Sequence, residues 1–154
     1  PFEEMSVADN IMTGALFSSN SYISSTQAQR RVDEALDMVD LTARRNALST
    51  ELTIGEKKKL ELARALATKP RLILLDEVMS GLTGAEIDNI MDVIDHVADS
   101  GMTILMIEHI VGVIVALTDR VLVLNFGREL YQGPPEEVVA NPYVIESYLG
   151  QALS

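Results

Sequence analysis

Two adjacent acids, Asp76 and Glu77, close the stretch LILLDE after four apolar residues. A short, wholly apolar run suits a parallel strand covered on both faces, and ligands of open α/β sheets bind at the carboxyl ends of such strands. A carboxylate delivered there can hold Mg²⁺ directly or through water, and a second beside it can orient or deprotonate an attacking water. The plainer alternative is a strand that ends at the surface in two solvated acids. His109 follows a second apolar run, MTILMIE. If the two strands are neighbours, His109 shares a rim with Glu77, where a neutral imidazole could contact a terminal phosphate or hold the water-orienting acid. Its alternative is a partly exposed histidine opening the next helix. His96 lies opposite the apolar face of its own helix and reads as surface. The third feature is LTIGEKKKLELARAL, residues 52–66, where Thr53 and Gly55 stand at the opening of a helix. Free amides and a partial positive charge at a helix N-terminus hold phosphate, glycine lets the backbone come close, and threonine offers a hydroxyl. The alternative is a plain capped helix with Lys57, Lys58 and Lys59 as its wet face.

The elements that must position these groups are readable from caps and periodicity. Ser6 with Asp9, Thr26 with Gln29, and Thr83 with Glu86 match the capping-box spacing. They predict a short helix ending near Gly14, a second helix carrying Val32, Leu36 and Val39, and a later one with Ile87, Ile90, Met91, Ile94 and Val97 on one face, stopped at Gly101. FSSNSYISS reads as a loop. A helix from about Glu56 to Ala67 turns Leu60, Ala63, Leu66 and Ala67 to one side and stops before Pro70. Beyond it the pattern alternates: strands at RLILLDE, MTILMIEH and RVLVLNF, a short helix at VGVIVALT, a strand at ELYQG after a turn at Gly127, and short helices at EEVVAN and YVIESYLG. Strand–helix alternation implies a parallel, three-layer α/β core over residues 69–154, preceded by a helical subdomain over residues 1–68.

Composition limits the function classes. The 154 residues are 47% hydrophobic, enough to bury a core, and no apolar run reaches membrane-spanning length. The acidic start, PFEEMSVADN, is unlike a secretion signal. A net charge of −11 argues against nucleic-acid binding, and the absence of cysteine excludes disulfides and thiolate metal sites.

The order and spacing of LTIGEKKKLELARAL, LILLDE, SGLT and His109 resemble the ATP-binding-cassette (ABC) ATPases over nearly the whole chain. The resemblance implies a partial P-loop NTPase fold of three layers with a parallel sheet, ATP and Mg²⁺ as cofactors, and these roles. Leu52, Thr53, Ile54, Gly55 and Glu56 match the signature loop that meets ATP held by the other copy. Glu56 stands where glutamine is usual, and Ile54 where the first glycine is usual. Asp76 matches the Mg²⁺-coordinating acid, Glu77 the catalytic glutamate that polarises water, and His109 the switch histidine that senses the γ-phosphate. Ser80, Gly81, Leu82 and Thr83 match the loop linking the two ATPase halves, with Thr83 where aspartate is common. The tail from DRVLVLNF onward looks like that of importers of branched-chain amino acids, urea or amides.

The implied partners are a second ATPase subunit, identical or not, and integral membrane permease subunits, with the protein peripheral on the cytoplasmic face of the cell membrane. No G-x-x-x-x-G-K-[ST] occurs in the sequence. The chain is therefore expected to be a piece lacking the phosphate-loop strand, which in this family lies between the strands of RVLVLNF and MTILMIEH. Its loss would orphan buried backbone groups at about 1–3 kcal/mol each. Rearrangement, strand-swapped self-association, or a larger parent protein would answer that cost. Two further functional readings stay open: a non-catalytic folding or dimerisation fragment, and a soluble ABC ATPase outside transport.

Overall fold

The computed structural model describes residues 1–17 and 23–149. It divides into two compact units, Pro1–Ile107 and Glu108–Ser154.

The first unit opens with three helices: α1 (Val7–Leu16), α2 (Ser25–Met38) and α3 (Ile54–Ala67). Two short 3₁₀ turns, Thr42–Arg44 and Ser49–Glu51, connect α2 to α3. The three helices pack on one another through Val7, Ile11, Ala28, Val32, Leu36, Leu60 and Ala63, all buried. Gly14 does not end α1 as the sequence suggests. The helix runs two residues further, and a Cβ on Gly14 would stand 2.2 Å from the carbonyl oxygen of Arg64 on α3. Glycine is there because α1 and α3 touch backbone to backbone. The cap of α2 is also corrected. Ser24, not Thr26, accepts from the Gln27 amide, and Gln27 answers the Ser24 amide, two residues before the expected pair. Most of the expected loop before this cap lies outside the described residues.

Strand β1 (Leu72–Asp76) follows, then α4 (Gly84–Asp99) and strand β2 (Thr103–Ile107). The two strands pair in parallel, with Leu72 opposite Thr103 and Asp76 opposite Ile107. Helix α4 packs on α3 and α2, burying Ile90, Val93, Ile94 and Val97, while Ile87 and Met91 are half-buried. Gly101, with φ of 89°, ends the helical stretch as expected.

The expectation that these strands are covered on both faces does not hold. Ile73 and Leu75 are buried, but Leu74 on the other face is 68% exposed, and Leu105 and Ile107 are exposed with it. An apolar run encodes two faces that can be buried; it does not supply the layer that buries the second one.

The second unit contains α5 (Val111–Leu117), β3 (Val121–Asn125), β4 (Arg128–Gly133), α6 (Pro135–Ala140) and α7 (Pro142–Leu149). Strand β3 was expected in the parallel sheet. It pairs instead with β4, antiparallel, with a register shift between Val123 and Leu124. The turn explains the local preference: Phe126 and Gly127, its two central residues, have φ of 48° and 75°, as a tight two-residue hairpin requires. Val113, Val123 and Val138 form the buried centre of this unit.

Candidate functional site

At the opening of α3, Thr53 is the N-cap: its hydroxyl accepts from the Glu56 amide at 3.2 Å, and the Glu56 carboxylate accepts from the Thr53 amide at 2.9 Å. This reciprocal box fixes the turn. The helix begins at Ile54, two residues before the sequence expectation, so Gly55 lies inside its first turn. Thr53 is exposed and Ile54 is 58% exposed, whereas Leu52 and Gly55 are buried. Glu56 does not present a bare charge. Besides capping, its carboxylate lies 3.2 Å from Arg44 Nε, so the cation answers it.

The three lysines that follow are not one wet face. Lys59 is only 7% exposed, and its Nζ donates to Asn89 Oδ1 on α4 at 2.8 Å, while Lys57 and Lys58 are half-buried.

At the carboxyl end of β1, Asp76 is exposed and sits in register with Ile107, the last residue of β2. The ladder reaches one residue further, where the Glu77 amide donates to the Ile107 carbonyl at 2.9 Å. Glu77 is exposed and has φ of 46°, a left-handed conformation that costs a non-glycine residue about 1 kcal/mol. Among the described residues, three other non-glycine residues share it. Asp40 and Lys69 follow helices and Phe126 turns the hairpin; Glu77 alone stands at the tip of a parallel strand. Residues 80–83 wind tightly from there into α4. Ser80 donates from its amide to the Glu77 carbonyl at 3.1 Å, Leu82 to Met79 at 3.2 Å, and Gly81 takes φ of 78°. Ser80 and Thr83 are exposed and Leu82 is half-buried.

Between the segments at 52–56 and 80–83 stands a residue that sequence reading used only as a cap. Glu86 Oε2 accepts from the Thr83 amide at 2.9 Å and from its hydroxyl at 2.8 Å. The same carboxylate faces α3: a Cβ on Gly55 would stand 3.4 Å from Glu86 Cγ and Oε1. The Thr83 amide and hydroxyl, together with the Gly55 backbone, hold the Glu86 carboxyl below the usual range. The box Thr83–Glu86 is visible in the sequence; the reach across to Gly55 has no local signal, because it depends on how α4 packs on α3.

His109 belongs to the second unit. Its side chain is 62% exposed, and Nδ1 lies 4.0 Å from the fully buried Glu108 carboxylate. Along the chain it stands two residues past the end of β2.

The residue types at the tip of β1 are compatible with a divalent cation such as Mg²⁺. Asp76 and Glu77 offer adjacent hard oxygen donors, and among the described residues no cluster of three or more metal-ligating side chains surrounds them. Mg²⁺ is commonly held by one or two carboxylates, with phosphate and water completing the shell.

Comparison with known proteins supplies the family. The ABC transporter family model matches residues 1–80, and a C-terminal model of branched-chain amino acid ATP-binding cassette transporters matches residues 132–153. The chain is 31% identical over 150 residues to the lipopolysaccharide export system ATP-binding protein LptB of Escherichia coli K12, covering 97% of this chain and 61% of that protein. It is 34% identical over 167 residues to the high-affinity branched-chain amino acid transport ATP-binding protein LivG of Salmonella typhimurium, covering 98% and 64%. BraF of Pseudomonas aeruginosa, which carries the same description, is 31% identical over 164 residues, with the same two coverages. The chain thus spans less than two thirds of the length of these relatives. Among solved structures, an ATP-binding cassette of an ABC transporter in its ADP conformation superposes with a TM-score of 0.81 at 25% identity, over 98% of this chain and 65% of that one. The cbiO1 protein from Clostridium perfringens, part of an ABC transporter complex, gives 0.82 at 27% identity, over 97% and 59%. The fold is therefore the α/β fold of ABC ATPase domains, and this chain belongs to the ABC transporter ATP-binding family.

Proposed function

We propose that this chain forms part of the ATP-binding, ATP-hydrolysing subunit of an importer of branched-chain amino acids or of related small solutes such as urea and amides. The observation that carries the catalytic half is the β1–β2 register. It sets Asp76 and Glu77 at the carboxyl edge of a parallel pair, level with the end of the neighbouring strand. In this reading Asp76 would hold Mg²⁺, which arrives with ATP and neutralises phosphate charge, and Glu77 orients and deprotonates the attacking water. His109 contacts the γ-phosphate. Leu52, Thr53, Ile54, Gly55 and Glu56 face a nucleotide bound to a second ATPase subunit, and Ser80, Gly81, Leu82 and Thr83 meet that subunit across the interface. The functional division follows the sequence: residues 1–68 as a helical subdomain carrying the signature loop, residues 69–154 as ATPase core.

Among the described residues no helix is long and apolar enough to cross a membrane. Membrane passage is assigned to separate permease subunits, with this protein bound at the cytoplasmic face. The 154 residues contain no phosphate-loop motif, so nucleotide capture is assigned to a longer parent protein.

The match over residues 132–153 and the likeness to LivG and BraF support import. The equal likeness to LptB supports a second reading, lipopolysaccharide export. Reconstitution of the complete transporter in vesicles separates them. Import predicts that leucine, isoleucine or valine with its binding protein raises ATP turnover. Stimulation by lipopolysaccharide, with no response to any small solute, would overturn the import reading.

A further inference from the structure

The first turns of α3 and α4 are tied at two levels, one helical turn apart. Glu86 on α4 faces Gly55 on α3, and Asn89 on α4 accepts from Lys59 on α3 at 2.8 Å. On α3 the two anchors are four residues apart, and on α4 three, so each pair lies along one face of its helix. The outer tie is joined to the loop before α4, because Glu86 Oε2 holds both the amide and the hydroxyl of Thr83. One carboxylate therefore spans the loop at 80–83 and the loop at 52–56. Each loop is closed by its own local bonds, the Thr53–Glu56 box in one and the Ser80 and Leu82 amides in the other, but these bonds do not join one loop to the other.

We propose that Glu86 is a positioning residue that locks the opening turns of α3 and α4 together, so that the two loops offered to a second subunit keep one spacing. The proposal rests on the nucleotide-sandwich reading above for its functional consequence, but not for the tie itself. A spacing error of about 1 Å between groups that must meet a phosphate together costs rate out of proportion to its structural cost. The loss should fall on kcat, because the second subunit's approach matters most in the transition state.

Glu86→Gln separates capping from tying. Glutamine serves at this position of a capping box, so an oxygen remains for Thr83. The negative charge and the second acceptor oxygen facing Gly55 are lost. In the complete ATPase, Glu86→Gln is expected to keep the melting midpoint within about 2 °C and KM for Mg-ATP within about twofold, while kcat falls about tenfold. Spin labels on Thr50→Cys and Ala85→Cys, both exposed positions flanking the two loops, should give a broader distance distribution in Glu86→Gln than with Glu86 intact. An unchanged distribution, or a kcat within twofold of the parent protein, overturns the proposal. A parent protein that fails to hydrolyse Mg-ATP overturns the nucleotide reading by itself, and the label distances still decide whether Glu86 ties the helices.

Discussion

Ser6, Thr53 and Thr83 each open a helix by pairing with the residue three places on, Asp9, Glu56 and Glu86. The first and last pairs match the spacing read from the sequence, whereas α3 was expected to start at about Glu56 itself. The stretch SSTQAQ contains two overlapping matches to that pattern, and Ser24 with Gln27 wins over Thr26 with Gln29. Lys59 and Glu86 could not be read because their partners, Asn89 and Gly55, are about thirty residues away. Asp33 has the same character: Arg45 Nη1 donates to its Oδ1 at 2.5 Å, twelve residues on, and this bond holds the Asp33 carboxyl below its usual value. A depressed folded value means stability present above the unfolded pKa, near 3.8, and lost as pH falls through the folded one. Both side chains are substantially exposed, so the contribution is about 0.5 kcal/mol. Comparison of Asp33→Asn with the parent chain by denaturant unfolding should therefore show a difference of that size at about pH 6 and none at about pH 2. A difference that grows on acidification would contradict the pairing.

At the scale of elements, helices and strands were legible as apolar patterns, but strand partners were not. LILLDE and MTILMIE form β1 and β2 and pair in parallel, as the resemblance implies. RVLVLNF forms β3, whose pattern is equally apolar, and takes its neighbour β4 through a two-residue turn. Apolarity selects the strand; the partner available decides the pairing. The same limit applies to faces. The two sides of β1 look alike in sequence, yet Leu75 is buried and Leu74 open. In the 154-residue chain, Leu75→Ala should cost about 2–5 kcal/mol, whereas Leu74→Thr should change stability by less than about 0.5 kcal/mol. Denaturant midpoints of the two variants check this, and equal losses would mean that a layer covers both faces.

For the molecule as a whole, the fold class and the placement of the acids came from motifs in register along nearly the full chain. Among the described residues the strands form two separate pairs, one parallel and one antiparallel. In the proposed reading, residues 1–154 supply one side of a shared nucleotide site through a capped helix opening, a strand tip with two acids, and a loop that Glu86 caps. The central claim is that Glu77 acts on water at that strand tip. Its direct test is single-turnover hydrolysis of Mg-ATP by the complete protein carrying Glu77→Gln, with ATP binding measured in parallel. Binding should persist while the hydrolysis rate falls about a hundredfold or more, the range expected when a general base is removed. A hydrolysis rate within threefold of the unmodified protein, with ATP bound equally well, would contradict the assignment.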